Sequence, residues 1–228
     1  MNFVEQFEND LAKYFDAPFA VATDSCTHAI ELCLRLVQPK IKITIPARTY
    51  ISIPFTLIKL NLDWQFKDLD WKNYYYLGGT NIIDAAVYFD KDSYVKNSLM
   101  CLSFQHKKTL SLGRGGAILC SNKQEYDLLK RMAWDGRIHN MAWREQDIDM
   151  IGYHYYMTPE TAQLGSEKLK EIVPKPKQGS TDYPYLPKMK IFKMVPNGPQ
   201  TCLMIILIHF GCYITLELPK IELEVGDK

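Results

Sequence analysis

The chain has 228 residues, of which 47% are hydrophobic and 23% charged, a composition that builds a core and excludes an intrinsically disordered protein. With 27 basic and 26 acidic side chains the net charge is +1, so nothing electrostatic points to nucleic acid or to an anionic membrane, and any anion site must be local. The length suits one α/β domain with a small appendage. None of the six cysteines (Cys26, Cys33, Cys101, Cys120, Cys202, Cys212) forms a CxxC pair. They read as small buried hydrophobes in a reducing compartment, not as zinc ligands or disulfides. The acidic, amphipathic start of the chain does not read as a signal peptide, and the expected location is the cytoplasm.

Phe3, Val4, Phe7, Leu11 and Phe15 recur at helical spacing and predict an amphipathic helix over 2–15. Phe19–Thr23, after Pro18, predicts a strand. Asp24-Ser25 then precedes Ile30, Leu34 and Val37 on one face, an N-cap followed by a helix. A strand is predicted over Lys42–Pro46 and a helix over 49–60, with Pro54 near its first turn. Trp64–Leu69, Asn81–Asp84 and Leu99–Phe104 read as three more strands. Gly113–Ser121 is a glycine turn feeding a strand, as in a hairpin. Lys123–Ala133 reads as a helix, and so does Thr158–Ile172, with Thr158 as cap, Pro159 at its first position and Glu160 in its first turn. Prolines and lysines make residues 173–199 a linker or extended arm. Residues 200–228 read as an atypical hydrophobic tail. Its apolar run, 202–218, is too short for a membrane span and is interrupted by His209, Gly211 and Glu217. The organisation is thus a domain over 1–172, an arm over 173–199 and a tail over 200–228.

Alternating strands and helices predict an α/β fold with a mostly parallel sheet flanked by helices. Ligands in such folds bind beyond the carboxyl ends of the strands. Ser25, Tyr50, Asp84 and the stretch Ser103–Lys108 each follow a predicted strand. The small hydroxyl residues of 24–28 sit where free N–H groups and the positive end of a helix dipole suit a phosphate, and also where any helix needs a cap. Asp84, beside two alanines, can approach a ring edge, or can simply cap a loop. Ser103-Phe104-Gln105-His106-Lys107-Lys108, followed by a glycine-rich turn, delivers a hydroxyl and then a lysine whose pKa its surroundings could lower. Read alone, it is also a basic surface turn.

Taken in order, Ser25-Cys26-Thr27, Thr49-Tyr50 after Pro46, Asp84-Ala85-Ala86, Ser103-Phe104-x-x-x-Lys108-x-Leu110-x-x-Gly113-x-Gly115-Gly116 and Gly152-Tyr153-x-Tyr155-x-Met157-Thr158 form an ordered set. The set resembles the DegT/DnrJ/StrS aminotransferases, pyridoxal 5'-phosphate (PLP) enzymes that mostly aminate keto groups on nucleotide-linked sugars. The resemblance spans residues 3–172. It implies an abbreviated large domain of the type I PLP-dependent transferase fold and PLP as cofactor. It implies an amino-acid donor such as glutamate, a keto-sugar acceptor and a homodimer.

By the same resemblance Lys108 is the cofactor-bearing lysine and base, and Asp84 pairs with the ring nitrogen. Tyr50 stacks on the ring, while Ser103, Cys26 and Thr27 hold the phosphate. His154 stands where the family has an asparagine that reaches a neighbouring subunit's cofactor. Val87 replaces a hydrogen-bonding residue, and Tyr156 replaces an arginine. The stretch between Tyr50 and Asp84 is short by a βα unit or more, and the family's C-terminal small domain is absent or replaced by the tail. The same departures allow an alternative, a PLP- or sugar-binding relative with a regulatory or structural role.

Overall fold

The computed structural model describes residues 2–194. Helix α1 (Phe3–Phe15) opens with a capping box. Asn2 Oδ1 accepts the Glu5 N–H at 2.9 Å, and the Glu5 carboxylate accepts the Asn2 N–H. Strand β1 (Phe19–Thr23) leads into α2 (Cys26–Val37), whose cap is Ser25: its Oγ accepts the His28 N–H at 3.2 Å. Then come β2 (Ile43–Pro46), α3 (Ser52–Lys59), β3 (Trp64–Lys67), β4 (Tyr75–Tyr76), β5 (Ile82–Asp84), β6 (Leu99–Ser103), β7 (Gly116–Cys120), α4 (Lys123–Ala133), α5 (Pro159–Leu169) and α6 (Lys190–Met194). Thr158 caps α5, with Pro159 at its start.

The main sheet has the order β1-β7-β6-β5-β4. It is flanked by helices, as the α/β pattern implies, but the strand directions differ from a mostly parallel sheet. β7 returns from β6 through the glycine turn, so it runs antiparallel, and β1 pairs antiparallel with it. β4 also runs antiparallel to β5, because only a short turn joins them. Parallel pairing is confined to β5 with β6 and to β2 with β3. The β2–β3 pair continues the sheet past β4, where Thr44 and Gly78 exchange backbone bonds of 3.2 and 2.8 Å. Glycine is needed there, since a Cβ on Gly78 would lie 2.0 Å from Thr44 Oγ1.

Both faces of the main sheet are buried, so its strands read as nearly continuous apolar runs that period two splits between two cores. Val21, Cys101 and Ile118 point to α2 and α4, while Ala22, Leu102 and Leu119 pack with Phe7, Leu11 and Phe104. A buried ion pair, Lys130 Nζ to Glu8 at 2.7 Å, ties α4 to α1, and Glu8 also accepts the Ala22 N–H at 2.9 Å. Cys33, Cys101 and Cys120 are buried, and the described cysteines are free thiols.

Residues 173–194 form an arm laid on the domain. Leu186 is fully buried, and its N–H donates to Ala47 O at 2.9 Å. The arm turns through short 3₁₀ segments at Ser180–Asp182 and Leu186–Lys188. The tail at 200–228 lies outside the described residues. Among those described, no helix is long and apolar enough to cross a membrane.

Candidate active site

The ends of β5 and β6, the start of α2 and the arm enclose a cavity of about 500 Å³. Asp84, the last residue of β5, is only 6% exposed and reaches the cavity wall. Its register partner on β4 is Tyr75, whose hydroxyl donates to Asp84 Oδ2 at 2.6 Å. The Ala86 N–H donates to Oδ1 at 2.9 Å. Thr49 Oγ1 shares a further short hydrogen bond with the Tyr75 hydroxyl. Burial raises the Asp84 carboxyl above the usual range, against the pull of the Tyr75 and Ala86 bonds and of the nearby Lys108 charge. Burial and then the Asp84 charge push the Tyr75 phenol well up, so it remains a donor.

Lys108 sits half-buried in the loop between β6 and β7, whereas the side chain of Lys107 is exposed. Burial pulls the Lys108 ammonium below the ordinary lysine range, with Asp84 and Cys26 acting in the opposite direction. The loop is tightly bonded. The Lys108 N–H donates to Gln105 O at 2.8 Å, His106 N to Gly113 O at 3.1 Å, and Leu112 N to Phe104 O at 2.9 Å. From outside, Lys175 Nζ donates to the carbonyls of Lys107 (3.1 Å) and Lys108 (2.7 Å), and Lys168 Nζ donates to that of Ser111 (2.9 Å).

The third part is the N-terminus of α2. The N–H groups of Cys26 and Thr27 lie in its first turn, where a helix offers no carbonyl partner, and both residues line the cavity. Thr27 Oγ1 and Ser52 Oγ are 2.9 Å apart, and Ser103 closes the same wall. Burial raises the Cys26 thiol well above its ordinary pKa, which keeps it an uncharged neighbour. Arg114 is engaged by Asp24 at 2.8 Å, and Asp24 also meets His28 at 2.6 Å.

Gly116 makes this arrangement possible: a Cβ there would lie 2.4 Å from Cys26 N and 2.5 Å from Ser25 C. Gly116→Ala is therefore expected to cost about 1–3 kcal/mol, as overpacking does, and to shift the α2 start that lines the cavity. Denaturant unfolding and PLP titration check this. An alanine variant with wild-type values in both would show the contact to be soft.

Six of the seven residues singled out from the sequence therefore line one cavity: Lys108, Asp84, Cys26, Thr27, Ser103 and Tyr50. Tyr50 stands at its rim with 58% of its surface exposed. Val87 also lines it and brings no polar atom. His154 does not line the cavity of its own chain; its expected contact is with a neighbouring subunit's cofactor, which one chain does not display. Residues 153–155 pair with the end of α4, the Tyr153 and Tyr155 N–H groups donating to Met132 O and Ala133 O. Alternation turns Tyr153 and Tyr155 inward, with Tyr155 stacked on His28 at 3.6 Å. His154 turns outward, where Nδ1 meets Asp135 at 3.1 Å and Nε2 meets the Tyr156 hydroxyl at 3.0 Å.

Sequence reasoning missed Tyr75, Thr49 and Ser52, and also Gln178, Asp182 and Tyr183 from the arm. The visible signals were Thr49, named beside Tyr50 without a role, and the hydroxyl of Ser52, inside the helix predicted over 49–60.

The cavity can hold a planar ring beside a carboxylate, a phosphate at a helix N-terminus and a carbonyl within reach of a lysine. Structural likenesses agree on the fold. The structure of 3-amino-5-hydroxybenzoic acid synthase aligns with a TM-score of 0.64 and 19% identity, over 75% of this chain and 56% of that one. Sugar aminotransferase CalS13 from Micromonospora echinospora aligns with a TM-score of 0.61 and 15% identity, over 74% and 61%. GDP-4-keto-6-deoxymannose-3-dehydratase (ColD) with bound GDP-perosamine aligns with a TM-score of 0.61 and 17% identity, over 74% and 60%. The chain thus spans 56–61% of the length of these proteins. No curated protein sequence matches it. The family model described as the DegT/DnrJ/EryC1/StrS aminotransferase family matches residues 2–81 and 84–178, and the chain belongs to that family.

Proposed function

We propose that the chain binds PLP through Lys108 and transfers an amino group from an amino acid such as glutamate to the keto group of a nucleotide-linked sugar. The observation that carries this reading is the convergence of Lys108, Asp84 and the free donors of the α2 N-terminus on one cavity. Its volume suits a small-molecule site. Asp84 fits the cofactor's ring nitrogen, because each of its oxygens accepts one protein bond and keeps a lone pair in a dry setting. When bound, PLP supplies an electron sink for the pair left as a Cα proton departs.

The protein's own groups do the rest. Asp84 accepts the hydrogen of the pyridine nitrogen and holds that proton in place. The Cys26 and Thr27 N–H groups, with the hydroxyls of Thr27 and Ser103, hold the phosphate. Lys108 Nζ would hold the cofactor, and its free amine would serve as the base for the donor's Cα proton. Its lowered pKa enlarges the neutral fraction that can do so. Tyr50 covers a ring face at the rim, and its exposure leaves a surface for a second copy of the chain in a homodimer. A sugar acceptor is supported by the family and by the sugar aminotransferase and ColD likenesses.

Incubation with PLP, borohydride reduction and peptide mapping tests the reading. The expected result is a pyridoxyl mass on Lys108. Label on Lys107 alone, or none, would overturn it. The apolar Val87 wall favours a second reading, cofactor binding without turnover. A PLP absorbance that glutamate fails to discharge would select it.

A further inference from the structure

One wall of the cavity comes neither from the sheet nor from its flanking helices. Residues 178–183 of the arm form it, contributing Gln178, Asp182 and Tyr183. The wall is held from several sides. The Asn73 N–H donates to Gln178 O at 2.9 Å, and the Ser180 N–H donates to Trp71 O at 2.9 Å. Ser180 Oγ meets Asp70 Oδ1 at 3.0 Å, and Arg48 Nη1 donates to Tyr183 O at 3.1 Å. The Trp71 ring, fixed by its own 2.8 Å bond to Arg48 O, lies 5.6 Å from the Tyr183 ring at a tilt of 38°. Backbone and one ring face of Tyr183 are thus set by the protein. Its hydroxyl is different: among the described residues it has no hydrogen-bond partner.

An oriented, half-buried phenol with an idle hydroxyl in a ligand-sized cavity has a donor to give. Burial comes first among the causes that push this phenol above the ordinary tyrosine range, followed by Asp84, Asp182, Cys26 and Tyr50. It therefore stays protonated at ordinary pH.

We infer that Tyr183 is a cofactor-contacting residue whose hydroxyl donates a hydrogen bond to PLP, and that residues 178–183 close their side of the cavity over it. The inference rests on the proposed PLP reading. Nothing in the composition of 173–199 foreshadows it, because the bonds that place the wall reach back to residues 48, 70, 71 and 73.

The test titrates the full chain and its Tyr183→Phe variant with PLP, following absorbance and tryptophan fluorescence. Removing one donor is expected to weaken PLP binding by about five- to tenfold, with the unfolding midpoint of the PLP-free protein unchanged. Hydrogen exchange supplies a measurement on the unmutated chain: PLP is expected to slow amides 178–186. A Tyr183→Phe variant that binds PLP within twofold of the parent overturns the inference and leaves the PLP reading standing. So does unchanged exchange in a chain that does bind PLP. A parent chain that binds no PLP at all overturns both.

Discussion

Replacing Lys108 with alanine is expected to give a folded protein that forms no covalent link to PLP and loses turnover by about a thousandfold, within the range for removing a positioned base. The fold should tolerate the change, because Lys108 Nζ has no hydrogen-bond partner among the described residues. Burial also disfavours its charge. A lysine whose folded pKa lies below the unfolded value weakens the fold at low pH, and the penalty fades as pH climbs through the folded value towards the unfolded one. At neutral pH the alanine variant should therefore be at least as stable as the parent. Lys107→Ala, which removes an exposed neighbour, should keep the label and most of the activity. Borohydride labelling and the glutamate half-reaction read both variants. A fully labelled Lys108→Ala protein would remove the basis for the assignment.

The second large effect is expected at Asp84. Asp84→Asn keeps the shape and discards the charge. The Asn oxygen can still take the Ala86 N–H, and the Tyr75 hydroxyl can turn to accept from the new amide while donating to Thr49. The raised carboxyl pKa fixes the sign. A carboxyl whose folded pKa exceeds the unfolded one weakens the fold as pH rises from the unfolded value through the folded one, and the cost is fully present above the folded value. The asparagine variant without PLP should thus unfold no earlier than the parent. PLP affinity should fall, since a hydrogen bond to a charged group contributes about 1.5–3 kcal/mol, roughly 10- to 150-fold at about 1.4 kcal/mol per decade. Equal or greater thermal stability combined with weaker PLP binding is a pattern that a purely structural aspartate would not produce. Wild-type affinity in the variant would sink the ring-nitrogen role.

Much of this arrangement is written in local signals. Ser25 announces the start of α2, and Thr158-Pro159 that of α5, because caps act through bonds within three residues. Lys108 and Asp84 follow strands whose apolar runs are plain in the sequence. Other parts were not legible. Tyr74, Tyr75 and Tyr76 share one chemistry, and only the β4–β5 register selects Tyr75 to face Asp84. A two-residue strand such as β4 has no period to detect, so the sheet's direction there was hidden. The arm depends on bonds such as Arg48 to Tyr183, 135 residues apart, which no window along the chain can sense.

The clasp of Lys168 and Lys175 on the carbonyls behind Lys108 has a mechanical consequence. With its peptide frame fastened from the rear, the lysine can swing only through its own four methylenes. If Lys108 carries the proposed role, any shuttling between two positions would need only rotamer hops, which run in nanoseconds, and no slow rearrangement of the main chain.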